Sequence, residues 1–367
     1  MESKILEIFE ELKEIMTVSG YETVNAEKVR DVALRVTDGF FDSAEITKLG
    51  SIILYHRSKK ENARTLLLDA HIDTIGLVVS EICGDGFIRC APVGGIDRRI
   101  LTTAQIDIFG KERICGLFSS IPPHLANKNG DNTLPDFADM LVDTGRTDDE
   151  LRKLVSVGDP CTFVGKTSRL LGDRICSAHL DDKICCAAVL CACSKLCNVQ
   201  TDCNVTVLLS SGEETRGGGA KTAAFITEAD GCIVLDVNFA KEKDVPDYQC
   251  SKLGDGAMIS RSAVTDRRMT DIVIKCAKEA GIPCKIIAET EGTGTNADAL
   301  QVANRGTPTA VLSVPIKYMH TPGELCSEGD ARCAAGIIIN VVKNFDSMSR
   351  QKDTLLGERV LKGGNGK

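Results

Sequence analysis

The stretch LLLDAHIDTIGLVV, residues 66–79, sets one histidine and two aspartates inside an otherwise apolar run. Read as a strand, it alternates its side chains, so Asp69, His71 and Asp73 share one face while Ala70, Ile72 and Thr74 take the other. Burying a charge without a partner costs on the order of several kcal/mol, and a metal ion is one partner that makes such burial favourable. A solvated edge strand carrying scattered polar residues satisfies the same pattern, so the choice rests on the rest of the chain.

Working outward, the N-terminal segment carries Ile5, Leu6, Phe9, Leu12, Ile15 and Met16 at helical spacing behind a capping Ser3, and this predicts a helix running to SGYE at 19–22. Between residues 80 and 120 the chain reads as short β-branched runs parted by glycine-rich turns, SEICGDGFIRCAPVGG, QIDIFG and RICGLFSS. From about residue 168 strands alternate with helical segments, the signature of α/β layering around a mixed or parallel sheet. If TLLLDAHID belongs to that sheet, the β-rich middle is an insertion. The expected division is a catalytic domain over 1–75 and 167–349, an inserted β-rich domain over 76–166, and a mobile tail over 350–367.

The 367 residues suit one large or two moderate domains, and the net charge of −8 argues against nucleic acid or an anionic membrane as partner. No run of about 18 apolar residues occurs, and the N-terminus alternates charged with apolar positions, which predicts a cytoplasmic protein. Its 17 cysteines are odd in number and spread over a large chain without a secretory signal, so they are read as reduced thiols. Five crowd into ICCAAVLCACSKLC, residues 184–197, but no CxxC pair is present there. The composition suits a buried helix in which thiols act as small hydrophobes.

Four further segments place acidic or imidazole groups where strands should end: SAHLDDK with Asp181 and Asp182, SSGEETRGGG with Glu213 and Glu214, VLDVN with Asp236, and KYMHTPGE with His320. In open α/β sheets such ends gather into one site. A two-metal hydrolytic site needs a bridging carboxylate, further ligands for each ion and a free carboxylate beside the attacking water, and this chain can supply all of them. Imidazole with carboxylate favours zinc, cobalt or manganese over calcium. Taken singly, each residue has an ordinary structural reading, and only the set points to catalysis.

The run SGYE, HIDTIG, PVGG, SSIPPH, VGD, LDDK, GEETRGGGA, LDV, GTNADA and KYMHTP resembles the M42 metallo-aminopeptidases, which include glutamyl aminopeptidase and the tetrahedral aminopeptidases, over nearly the whole chain. The resemblance implies an α/β phosphorylase/hydrolase-like metallopeptidase domain interrupted by a PDZ-like β-domain used in assembly. It implies that His71 and Asp236 hold one metal, Glu214 and His320 the other, with Asp181 between them, Glu213 as general base and Asp73 orienting His71. Asp182 is expected to support rather than ligate, and Asp69 to be structural. The expected function is removal of N-terminal residues from short peptides by a homo-oligomer, a dodecamer in the tetrahedral enzymes. The chain departs from the family at Thr74, where an acid is usual, at Lys317, where arginine is common, and at His179, where a small or apolar residue is usual. An endoglucanase-like hydrolase and a non-catalytic metal-stabilised peptide-binding scaffold are the rival readings.

Overall fold

A computed structural model describes residues 2–120, 135–243, 245–290 and 292–350. The expected tail beyond Arg350, and the IPPH part of SSIPPH, lie outside the described residues.

Among the described residues an eleven-stranded mixed sheet organises the molecule. Its centre is four neighbouring parallel strands in the order Asn204–Ser210, Thr65–His71, Gly231–Phe239 and Thr309–Lys317. Antiparallel strands extend both flanks, Ile52–His56 beside the first and Glu324–Ser327 beside the last. The helices Glu2–Lys13, Ala26–Val36, Leu180–Leu196, Arg267–Glu279 and Glu328–Ser349 cover one face, and the short helices Gly218–Ala224 and Ala297–Leu300 cover the other. The strand Thr65–His71 is buried on both sides: Leu66, Leu68 and Ala70 enter the first core, whereas Leu67 enters the second. By alternation Asp69 and His71 project on the Leu67 face.

Between Ile75 and Phe163 the chain builds its own core around a closed antiparallel barrel of six strands, ordered Gly76–Ile82, Phe87–Val93, Val142–Asp143, Arg113–Phe118, Gln105–Phe109 and Pro160–Phe163. Leu77, Val79, Ile88, Ile106, Ile108 and Phe118 fill its interior. Gly116 is required there, since a Cβ would stand 2.6 Å from Val142 Cγ1. The helix Asp148–Leu154, opened by a capping box of Thr147 and Glu150, buries Leu151 in the same core.

The first helix differs from its sequence reading. It spans Glu2–Lys13, so Ser3 lies within it and not at its N-cap, and it stops short of SGYE. Its end is held from outside: the buried Lys183 ammonium donates to the carbonyls of Leu12 at 3.0 Å and Ile15 at 2.8 Å. The cysteine-rich segment is the helix Leu180–Leu196, with Cys185, Cys186, Cys191 and Cys193 wholly buried in the main core. Burial pushes the thiols of Cys185 and Cys186 well above their ordinary pKa, so they pack as hydrophobes.

The last helix closes over the sheet through Asp346, which is buried and accepts from Lys60 Nζ at 2.8 Å, Arg64 N at 3.0 Å and Arg350 Nε at 2.8 Å. The Arg350 contact, with Lys60 and Arg64, outweighs burial and holds this carboxyl well below the usual range. A depressed pKa contributes stability above the unfolded value near ~4, and the contribution fades as pH falls through the folded value. Asp346→Asn is therefore expected to lower unfolding stability by about 1–3 kcal/mol at neutral pH, with a gap that narrows in acid. Urea titrations of both proteins at two pH values measure it.

Candidate metal centre

The carboxyl ends of the parallel strands converge. His71 ends one strand, Asp236 lies near the end of its neighbour, Glu213 and Glu214 follow the strand Asn204–Ser210, and His320 follows Thr309–Lys317. Asp181 comes from the start of the helix Leu180–Leu196. All of them line one cavity of about 750 Å³.

Asp181 is central to the geometry. Its Oδ1 is 3.1 Å from His71 Nε2 and its Oδ2 is 3.2 Å from His320 Nε2. Asp236 Oδ1 lies 3.7 Å from His71 Nε2, and Glu214 Oε2 lies 3.4 Å from His320 Nε2. Two imidazole–carboxylate groups thus share one carboxylate. Potential ligand atoms of His71, Asp181 and Glu214 fall within 4.8 Å of one another, as do those of His71, Asp182 and Asp236. Asp182, expected to stand behind the ligands, is wholly buried among them, with the Cys185 thiol as a neighbour of its carboxylate.

Both histidines are fixed through their other nitrogen. His71 Nδ1 is 3.0 Å from the Asp73 carbonyl and 3.6 Å from the Asp73 carboxylate, and His320 Nδ1 is 3.0 Å from the Gly95 carbonyl. With Nδ1 held by these carbonyls, each ring is oriented so that Nε2 faces Asp181, and Nε2 is the nitrogen left to ligate a cation there. The Asp73 carboxylate has a second task, accepting from the backbone N–H groups of Glu213 at 3.0 Å and Glu214 at 3.1 Å, which ties the acidic turn to the histidine strand.

The electrostatics are those of an uncompensated acidic site. Burial raises Glu213 to about 8 and lifts Glu214, Asp182 and Asp236 as well, reinforced by neighbouring carboxylates. Burial also pulls His71 down, but hydrogen bonds to Asp181, Asp236 and Asp73 outweigh it and raise the imidazole well above its ordinary value. For Asp181 burial is outweighed by His320 and His71, which hold it low. Crowded carboxylates and an unpartnered Glu214 Oε1 fit bound divalent cations.

Glu324 was not singled out from the sequence, although it stands four residues after His320 in KYMHTPGE. It is buried; Oε1 accepts from the His320 N–H at 2.9 Å and Oε2 from the Asp181 N–H at 3.1 Å. One side chain therefore sets the spacing of two residues of the centre. Asp69 turns to Asn296, whose Nδ2 donates to it at 3.1 Å and to Ser210 Oγ at 2.8 Å, and burial pushes its carboxyl up to about 7. Thr74 is buried with an unpartnered hydroxyl, and both it and His179 line a second cavity of about 480 Å³ against the barrel.

A buried imidazole–carboxylate cluster at the ends of parallel strands is a site of the metal-dependent hydrolase type. The chain belongs to the M42 glutamyl aminopeptidase family, whose model matches residues 50–336, and it is a peptide hydrolase. It is similar to the lysyl aminopeptidase of Pyrococcus furiosus, 30% identical over 328 residues that make up 88% of this chain and 92% of the relative. The fold is similar to that of the TET1 peptidase of Pyrococcus horikoshii, described as assembling into a tetrahedron or a large octahedral shell, with a TM-score of 0.79 at 27% identity over 92% of this chain and 99% of that one. A TET aminopeptidase from a marine sediment archaeon of the Thaumarchaeota shares the fold with a TM-score of 0.86 at 23% identity, covering 95% of this chain and 98% of that one.

Replacing Glu324 by alanine leaves two buried N–H groups without acceptors and frees His320 and Asp181 to shift. Metal affinity, measured by competition with a chromophoric chelator, is expected to fall about ten- to a hundredfold. Unchanged affinity would remove Glu324 from the centre.

Proposed function

We propose that the protein is a dinuclear-metal aminopeptidase acting on short peptides. The observation that carries this is the placement of Asp181, one oxygen facing His71 and the other facing His320. On this reading His71 and Asp236 hold one ion, Glu214 and His320 hold the other, and Asp181 serves both. Asp182 joins the first group or stands immediately behind it. Zinc or cobalt suits the imidazole–carboxylate donor set, with manganese also compatible. When bound, two such ions supply Lewis acidity at the scissile carbonyl and lower the pKa of water.

The remaining work belongs to the chain. Glu213 shares the acidic turn with Glu214, lines the same cavity and is not among the ligands, so it is the carboxylate left to exchange protons. It takes a proton from the attacking water and returns it to the leaving amine, while Asp73 holds its backbone in place. The acidic cavity suits a free α-amine, which favours exopeptidase action. A glycosidase would set two carboxylates on opposite sides of a bond, whereas here carboxylates and imidazoles converge on common points. A scaffold would have no use for a half-buried acid lining the same cavity.

The six-strand barrel, PDZ-like by resemblance, is proposed as the inserted unit over 76–166 between catalytic parts 1–75 and 167–349, serving in assembly. The shell formed by the TET1 relative supports a homo-oligomer, a dodecamer if it follows the tetrahedral enzymes. All 17 cysteines are free, which suits a reducing cytoplasm.

The reading is tested by giving the protein a short peptide with a free N-terminus and the same peptide N-acetylated. Release of the first residue from the free form only is expected, and equal cleavage of both would overturn the exopeptidase assignment. The adjacent glutamates should fail differently. Glu213→Gln is expected to lose about a hundred- to ten-thousandfold in rate with its metal retained, whereas Glu214→Gln should lose metal and rate together. Metal content and turnover of both variants decide the roles, and a metal-depleted Glu213→Gln would exchange them.

A further inference from the structure

The segment SGYE, residues 19–22, enters none of the chemistry above, yet it grips the turn that carries the two adjacent glutamates. Glu22 is buried and opens the short helical turn Glu22–Val24. Its Oε1 accepts from the N–H of Gly212, the residue immediately before Glu213, at 2.8 Å. Ser19, also buried, sets its hydroxyl 3.0 Å from that of Thr215, the residue immediately after Glu214. SGYE therefore holds both flanks of the glutamate pair. It is anchored in turn by the Ser19 N–H, which donates to the Thr74 carbonyl at 3.1 Å, next to Asp73. A Cβ at Gly50 would stand 2.7 Å from the Thr23 nitrogen and 3.1 Å from Glu22 Cβ, so backbone is pressed against Glu22 from below.

The other backbone groups of the turn have their partners elsewhere. The Gly212 carbonyl accepts from the N–H groups of Arg216 at 3.0 Å and Gly217 at 2.7 Å, and Asp73 accepts from those of Glu213 and Glu214. Glu22 takes the Gly212 N–H that this leaves. Gly212 sits at φ +70°, in the left-handed region, and without a Cβ it has the freest backbone in the turn. An acceptor there fixes the peptide from which Glu213 departs. Glu213 itself is held by its backbone N–H, and its carboxylate takes its place from the turn.

We infer that Glu22 is a positioning residue for the general base: by holding the Gly212 N–H it fixes the backbone from which Glu213 reaches the attacking water. This rests on the reading of Glu213 as the base. The two glutamates depend on the grip unequally. Glu214 lies one residue further from Gly212 and, as a ligand, is restrained by its ion as well, whereas Glu213 ligates nothing and has only the turn to place it. Loss of the grip therefore falls on proton transfer and leaves metal binding and substrate binding in place. Proton transfer is sensitive to such a change, since a misplacement on the order of an ångström costs about a hundredfold in rate.

The test is made on full-length, metal-loaded protein with the short free peptide used above, kcat being expressed per metal-replete chain. Glu22→Ala is expected to lower kcat about ten- to a hundredfold while KM and metal content stay within about twofold of wild type. Glu22→Gln, which still offers an acceptor oxygen to the Gly212 N–H, should recover most of that loss. Where the alanine variant does not fold, Glu22→Met, which keeps the volume without an oxygen, takes its place with the same expectation. In a Glu213→Gln background the alanine substitution should cost little more, because the group it positions is already gone. Unchanged kcat in a folded Glu22→Ala, a loss that follows metal content or KM, or a full further loss on top of Glu213→Gln overturns the inference and leaves Glu213 as the base. A fully active Glu213→Gln removes the base assignment and this inference with it.

Discussion

One carboxylate is shared by two imidazoles, Asp181 at 3.1 Å from His71 and 3.2 Å from His320, and much of the neighbouring structure holds that arrangement. Glu324 grips the backbone of Asp181 and of His320 with its two oxygens, so the helix that brings one and the turn that brings the other cannot drift apart. Asp73 does the same between the histidine strand and the glutamate turn. The Gly95 carbonyl, from the segment that carries the barrel, orients His320, so the barrel segment reaches the centre directly. A Cβ at Gly95 would stand 2.9 Å from the His320 ring, which leaves the backbone there no side chain to spare.

The cost of the arrangement is electrostatic. Burial raises Glu213, Glu214, Asp182 and Asp236 together, so without cations these carboxyls are driven to hold protons, and a bound cation is what would favour their charged forms. A protein that tolerates this has a reason to, and perturbed carboxyls gathered in one cleft are a mark of function.

Much of this was legible in the sequence because period-two alternation and strand-end placement are local properties. LLLDAHID reads as a strand with His71 on one face because Leu66, Leu68 and Ala70 are apolar on the other. The separate β-rich stretch reads as its own unit because its turns are glycine-rich and its strands short. The residues that were missed act across long sequence separations. Glu324 works by gripping Asp181, 143 positions away, and nothing in its neighbourhood announces that. The first helix was drawn too long because the buried Lys183 that terminates it is remote in sequence.

The central claim is that two ions share Asp181. Crystals of the active protein, with diffraction recorded on either side of the absorption edge of the bound metal, test it directly. The account predicts two anomalous peaks flanking the Asp181 carboxylate, one against His71 and Asp236 and the other against His320 and Glu214. A fully active enzyme with a single peak, or with none near Asp181, would contradict it.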